Sequence, residues 1–215
     1  MNKRSIALIA AVAVIAALFF AGSSFLSNIY VPAILMYHSV GEEGTALDGY
    51  GPKLNVRTKT FAKQMKFLHE SGYDVIPLSD LVERIKSGKR IPRKTVAITF
   101  DDGLKNNFYN AYPALRRYGF PATIFVVTDF IGTEKFLTRD DIITMQEDNV
   151  IVGSHTASHK WLPSLPEELV KRELGESKRS LEYITGREVK ILSYPLGGFD
   201  ERSKDTPKRP DIKAR

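Results

Sequence analysis

The chain has no cysteine. That excludes disulfides and a thiolate-held metal, so any metal must be held by imidazole and carboxylate. Histidine is scarce as well, with four in 215 residues, at His38, His69, His155 and His159. No basic run with interleaved aromatics occurs. The formal excess of positive charge, +6, is spread along the chain, which goes with solubility or affinity for anionic cell-surface polymers rather than with nucleic acid. A P-loop and a clustered Arg/Lys pair at strand ends are also missing, which argues against a metal phosphoesterase. No short internal repeat is present.

Charge is absent from one long segment. After Lys3 and Arg4, residues 5–27 carry no charged side chain, and residues 6–21 are dominated by Ala, Ile, Leu, Val and Phe. A charged start followed by an apolar run is an export signal. Its length is borderline for a span, which needs about 20 residues. Ala21-Gly22-Ser23 is a weak cleavage site, so residues 1–27 are expected to be an uncleaved signal-anchor or a signal peptide. Lys3 and Arg4 would then stay inside, with the rest on the outer face of the cell membrane, or secreted after cleavage.

From residue 28 onwards, strands and helices are expected to alternate. Strands are expected at 31–37, 74–78, 95–100, 122–127, 149–153 and 190–193. Helices are expected after Thr58 or Thr60 (Phe61, Met65 and Leu68 on one face), from Ser79, around 108–118, from Thr138 (Ile142, Met145), and from a Ser164/Glu167 capping box. The last is lined by Leu169, Leu174, Leu181 and Ile184. Regular alternation implies a parallel sheet with helices outside, and a barrel or a doubly wound open sheet both fit. Residues 200–215 have Ile212 and Ala214 as their only apolar members. Such a segment cannot bury a hydrophobic face and reads as a disordered tail.

Polar clusters interrupt the strand ends. Asp101-Asp102-Gly103 follows the strand at 95–100, His155 and His159 follow the strand ending at Gly153, and His38 follows Tyr37. In a parallel α/β fold the C-terminal strand ends point to one face, where sites form. Taken alone, the acidic pair fits a solvated turn and the histidines fit surface positions. Together they favour a metal held by two His and one Asp with open coordination positions, as catalysis requires. His38 is a candidate proton donor. The turn 194–198 (Tyr-Pro-Leu-Gly-Gly) could expose N–H groups to an oxyanion, or be a plain turn. His69, within a predicted helix, is assigned no role.

The motifs Thr99-Phe100-Asp101-Asp102-Gly103, Ser154-His155-Thr156-Ala157-Ser158-His159 and Ser193-Tyr194-Pro195-Leu196-Gly197 resemble the polysaccharide deacetylase family, carbohydrate esterase family 4. The resemblance implies an α/β fold, a distorted (β/α) barrel of about seven strands, over residues 28–199. It implies Asp101 as general base, Asp102, His155 and His159 as ligands of a divalent metal, zinc in most members, and the Leu196 N–H as oxyanion donor. The substrate implied is an N-acetylglucosamine polysaccharide and the partner state a monomer. The alternative is an inactive chain that binds carbohydrate without turnover.

Two departures follow from the same resemblance. Most members carry a catalytic-acid His in a C-terminal Leu-x-His motif, and this chain has no histidine after His159. The segment Ile34-Leu35-Met36-Tyr37-His38-Ser39-Val40 is similar to a circularly permuted branch, the deacetylases of exopolysaccharide and poly-N-acetylglucosamine, and this makes His38 the general acid. Many members also have Arg where Ser193 stands. Because the helix and strands expected after the third motif are replaced by polar sequence, the barrel is expected to be incomplete and less stable than a complete one.

Overall fold

The computed structural model of the chain describes residues 12, 14–15, 31–42 and 54–204. Apart from Val12, Val14 and Ile15, which are helical, the hydrophobic helix expected in residues 1–27 lies outside the described residues. Among the described residues no helix is long and apolar enough to cross a membrane.

Seven strands and six helices carry the argument. The strands are β1 (Ala33–Tyr37), β2 (Ser39–Val40), β3 (Asn55–Val56), β4 (Asp74–Val75), β5 (Thr95–Phe100), β6 (Ala122–Val126) and β7 (Val150–Ser154). The helices are α1 (Thr58–Glu70), α2 (Leu78–Lys86), α3 (Tyr112–Tyr118), α4 (Arg139–Glu147), α5 (Glu167–Thr185) and α6 (Glu201–Lys204). The main sheet runs β1-β5-β6-β7 with β4 paired to the start of β5, and β2 and β3 form a separate two-stranded sheet. Every pairing is parallel. All the main strands therefore end at one rim. Among the described residues β1 and β7 are not paired to one another, so the sheet is open there.

β5 is buried at every position, which explains why its sequence is a continuous Thr/Val/Ala/Ile/Phe run rather than an alternating one. The amphipathic stripe of α1 buries the three residues expected, Phe61, Met65 and Leu68. Phe61 meets the Tyr37 ring edge-on at 5.0 Å and the Phe100 ring at 5.8 Å. This aromatic cluster sits just beneath the rim and fixes the ends of β1 and β5 against each other. Thr138 caps α4 as expected, in a reciprocal box with Asp141.

Four expectations need correction. The capping box at Ser164 and Glu167 does not form: Pro166 occupies the N-cap of α5 and holds Leu165 extended, so the Ser164 hydroxyl donates to the Trp161 carbonyl instead. The buried stripe of α5 runs through Val170, Leu174 and Leu181, and Leu169 is exposed. The strand at 190–193 reduces to one parallel bridge, Leu192 to Ser154. The helix expected at 108–118 opens with a π-helical turn, Asn107–Ala111.

The start of the expected tail is also ordered, since Glu201–Lys204 forms α6. It docks through polar bonds rather than an apolar face. The Tyr194 hydroxyl donates to the Ser203 carbonyl at 3.0 Å, and Arg202 donates to the carbonyls of Leu165 and Pro163 at 2.9 and 3.2 Å. Composition alone argues only about apolar burial and could not show this. Residues 205–215 lie outside the described residues.

Two outcomes follow from the aromatic cluster. Phe61→Ala is expected to destabilise the fold by about 3–5 kcal/mol, the range for a buried aromatic reduced to alanine, as read from urea unfolding. Burial also pushes the Tyr37 phenol up to about 12, whereas an unfolded tyrosine titrates near 10. The folded state therefore keeps a proton that the unfolded state gives up. Its contribution is whole below about pH 10 and is lost as pH rises through about 12. The urea midpoint should fall over that window, and less steeply in Tyr37→Phe.

Candidate active site

The rim brings together six residues from four parts of the chain. His38, Asp101, Asp102, His155, His159 and Leu196 line one cavity of about 780 Å³, together with Met36, Leu54, Leu192, Ser193, Tyr194, Gly197 and Phe199. The ladder carries two of them directly to the rim. The Asp101 N–H donates to the Tyr37 carbonyl at 2.9 Å, continuing the β1–β5 register, and the His155 N–H donates to the Val126 carbonyl at 3.0 Å, continuing β6–β7.

Adjacent side chains on a strand point to opposite faces, so Asp101 and Asp102 can serve one site only where the strand has ended. The backbone turns there: Asp102 has φ 73° and Gly103 has φ 73°. A Cβ on Gly103 would also meet Val126 Cγ1 at 3.1 Å, so glycine is required both for its conformation and for the close approach of β6. The turn is clamped by Leu137, whose N–H donates to the Gly103 carbonyl at 2.9 Å.

Asp102 and His155 are each 2% exposed. The His155 and His159 Nε2 atoms lie 3.3 and 3.2 Å from Asp102 Oδ1, and the two imidazole centroids are 4.9 Å apart. One ligand atom from each of the three residues lies within 4.8 Å of the others. Tetrahedral zinc ligands at 2.0–2.1 Å from the ion are about 3.3 Å from each other, so the donor set and its spacing fit a divalent cation. The His155 Nδ1 lies 2.8 Å from the Ser193 carbonyl. A proton held there leaves the Nε2 lone pair facing Asp102, the usual outer contact of a metal-binding histidine. The burial of His155 would lower its pKa, but the hydrogen bond to Asp102, the Asp101 charge and the Ser193 carbonyl outweigh it, and the net direction is up.

Asp101 stands beside this cluster, 7% exposed. Burial pushes its carboxyl above the ordinary range, against the opposing pull of His155 and His38, while the Asp102 charge adds to the rise. The Ser193 hydroxyl donates to Asp101 Oδ2 at 3.3 Å. His38 is half-buried, and its carbonyl accepts a bond from Asn107 Nδ2 at 2.7 Å. Asn106 and Asn110 bond Ser39 and the Val40 carbonyl at 2.8 Å each. Leu196 sits at the rim with φ 56° and a side chain that is 79% exposed. His69 lies on the exposed face of α1, its ring tilted against that of Tyr118 at 4.9 Å, away from the cavity.

Sequence reasoning missed the supporting residues. Asn106, Asn107 and Asn110 tie the β1–β2 corner to the turn after Asp102, Glu173 bonds the loop that carries the histidines, and Ser177 bonds the strand end before it. A signal existed for the last two. Both are polar and lie on the same α5 face as Val170, Leu174 and Leu181.

Comparison with known proteins bears on the family and the fold. The polysaccharide deacetylase family model matches residues 88–214. YxkH of Bacillus subtilis is 34% identical over 170 residues, 79% of this chain and 58% of its own length. A poly-beta-1,6-N-acetyl-D-glucosamine N-deacetylase of Escherichia coli K12 is 28% identical over 120 residues, 50% of this chain and 18% of its own length. The crystal structure of a polysaccharide deacetylase from Bacillus cereus is 31% identical, with a TM-score of 0.69 over 82% of this chain and 55% of that one. That coverage extends upstream of residue 88. The chain spans little more than half the length of YxkH and under a fifth of the E. coli enzyme.

The donor geometry has a direct test. The chain, stripped with chelator and titrated with zinc, is expected to take up one equivalent by calorimetry. Asp102→Asn, His155→Ala and His159→Ala should each abolish that uptake, and His69→Ala should leave it unchanged.

Proposed function

The chain belongs to the polysaccharide deacetylase family, and from that premise we propose that it is a metal-dependent hydrolase removing N-acetyl groups from an N-acetylglucosamine polysaccharide. The observation that carries the reading is the shared cavity. A carboxylate and two imidazoles with metal-ligand spacing lie beside a second buried carboxylate and a third histidine.

In this reading Asp102, His155 and His159 hold a divalent cation, zinc in the first instance. Bound there, it supplies Lewis-acid polarisation of the acetyl carbonyl and lowers the pKa of a water. The remaining steps belong to the protein's own groups. Asp101 accepts the proton of the attacking water; a carboxylate raised towards neutrality by burial is a better proton acceptor than an exposed one. The water oxygen forms a C–O bond to the carbonyl carbon, whose oxygen becomes the oxyanion, and the C–N bond breaks as that oxyanion collapses. His38 gives its proton to the departing amine, which leaves acetate and a free glucosamine unit. The Leu196 N–H, in the positive-φ turn at the cavity edge, is assigned to the oxyanion.

His38 takes the place of a C-terminal acid in this account. The support is positional: β1 is parallel to β5, so the residue after Tyr37 reaches the same rim as the residue after Phe100. The name of the E. coli relative supports poly-N-acetylglucosamine as the polymer. The apolar run at residues 6–21 after Lys3 and Arg4 supports action at the outer face of the cell membrane.

Acetate release from N-acetylglucosamine oligomers with added zinc tests the reading. Asp101→Asn and His38→Ala are each expected to lower kcat by about 10²–10⁴-fold, the usual worth of a general base or acid. Oligomer binding without acetate release would favour a carbohydrate-binding role, and full activity of both variants would overturn the assignment.

A further inference from the structure

The loop that carries both imidazoles is held against its own conformational preference. Thr156 has φ 66° and His159 has φ 59°. A β-branched residue at positive φ is an outlier that persists only where surrounding structure over-determines it. Two bonds within residues 154–159, and one from Ser154 to Ser177 of α5, contribute. The His159 N–H donates to Thr156 Oγ1 at 3.1 Å, the Thr156 N–H donates to Ser154 Oγ at 3.2 Å, and Ser154 Oγ lies 2.8 Å from Ser177 Oγ.

From outside, the Thr128 and Asp129 N–H groups donate to the Thr156 and Ala157 carbonyls at 3.3 and 2.9 Å, and one side chain takes up the next two N–H groups of the loop. Glu173 Oε2 accepts the N–H groups of Ala157 at 3.0 Å and Ser158 at 2.8 Å, and Oε1 accepts the Ser158 hydroxyl. Glu173 is buried and does not line the cavity that holds the imidazoles. It projects from α5 one turn before Ser177, between residues that anchor the helix in apolar packing, Val170 and Leu174. Removing its oxygens leaves two N–H groups of the loop without acceptors. Nothing else fixed in the protein would then hold those two groups in the conformation that aims His155 and His159 at Asp102.

We propose that Glu173 is the positioning residue of the metal centre, holding residues 155–159 in the strained conformation that presents both imidazoles to Asp102. The inference rests on the metal reading above.

The test measures zinc affinity by competition with a chromophoric chelator, the visible spectrum of the cobalt form, and amide hydrogen exchange in the metal-free protein. In Glu173→Ala, zinc affinity is expected to fall about 10–100-fold, the usual effect of losing an outer partner of a metal ligand. The cobalt spectrum should shift and the amides of Ala157 and Ser158 should exchange faster. Glu173→Gln, which keeps an acceptor for the two N–H groups, is expected to stay within about threefold of the wild type. Where Glu173→Ala gives no cooperative melt, Glu173→Asp carries the test with the same expected loss, because it withdraws the oxygens by one methylene. Unchanged affinity in the folded variant overturns the proposal, as does a Glu173→Gln loss equal to that of Glu173→Ala. A wild-type chain that binds no zinc overturns the metal reading itself, and the hold on the loop then stands or falls on the exchange rates.

Discussion

Asp102 is a carboxylate almost wholly removed from water, with two imidazole nitrogens about a hydrogen-bond length from the same oxygen. A charge in that position is expensive unless something opposite in sign is fixed beside it. Either protonated imidazoles or a cation can supply that charge, and the spacing of the three donors suits a cation. Everything else at the rim serves this arrangement. The parallel register brings the ends of β1, β5, β6 and β7 to one side. The positive-φ turn at Asp102 and Gly103 lets two neighbouring acids face the same space. The aromatic cluster of Tyr37, Phe61 and Phe100 locks the two strand ends from below.

The scaffolding is polar where it touches the site and apolar elsewhere. On α5, Val170, Leu174 and Leu181 pack inward, while Glu173 and Ser177 on the same buried side bond the loop and strand end that carry the histidines. On the other flank, Asn106, Asn107 and Asn110 satisfy the backbone of residues 38–40. Each substitutes a side-chain bond for a ladder bond that the chain has abandoned at the strand end. The rim can therefore hold irregular backbone without orphaning its N–H and C=O groups, and irregular backbone is what aims functional side chains.

How much of this the sequence disclosed depended on the kind of signal. β5 and the stripe of α1 were readable because burial on both faces, or on one helical face, leaves a periodic trace. The convergence of His38, Asp101, Asp102, His155 and His159 was readable because each follows an apolar strand, and parallel topology then places all of them on one rim. The start of α5 was not, since Ser164 and Glu167 matched a capping pattern while Pro166 between them decided the geometry. The order of α6 was hidden because it rests on Arg202 and Ser203 bonding distant carbonyls and a phenol, and composition carries no record of such contacts. Glu173 was hidden for the opposite reason: a glutamate on an amphipathic helix is ordinarily solvated, and only its register with the buried face marks it.

Ser193 shows how a small residue can join two halves of a site. Its carbonyl meets His155 Nδ1, and its hydroxyl donates to Asp101. The resemblance that places Arg here in many relatives would put a permanent, planar cation beside the base, and such a charge strongly favours the ionised carboxylate. A serine hydroxyl offers one neutral hydrogen bond instead. In this chain the charges that oppose the effect of burial on Asp101 therefore come from His155 and His38, one a candidate metal ligand and the other the candidate acid. In the proposed mechanism the base is thus tuned by its own partners rather than by a separate arginine. A change in either histidine would then reach Asp101 electrostatically as well as through its own role, so the contributions of these residues to turnover should not be additive.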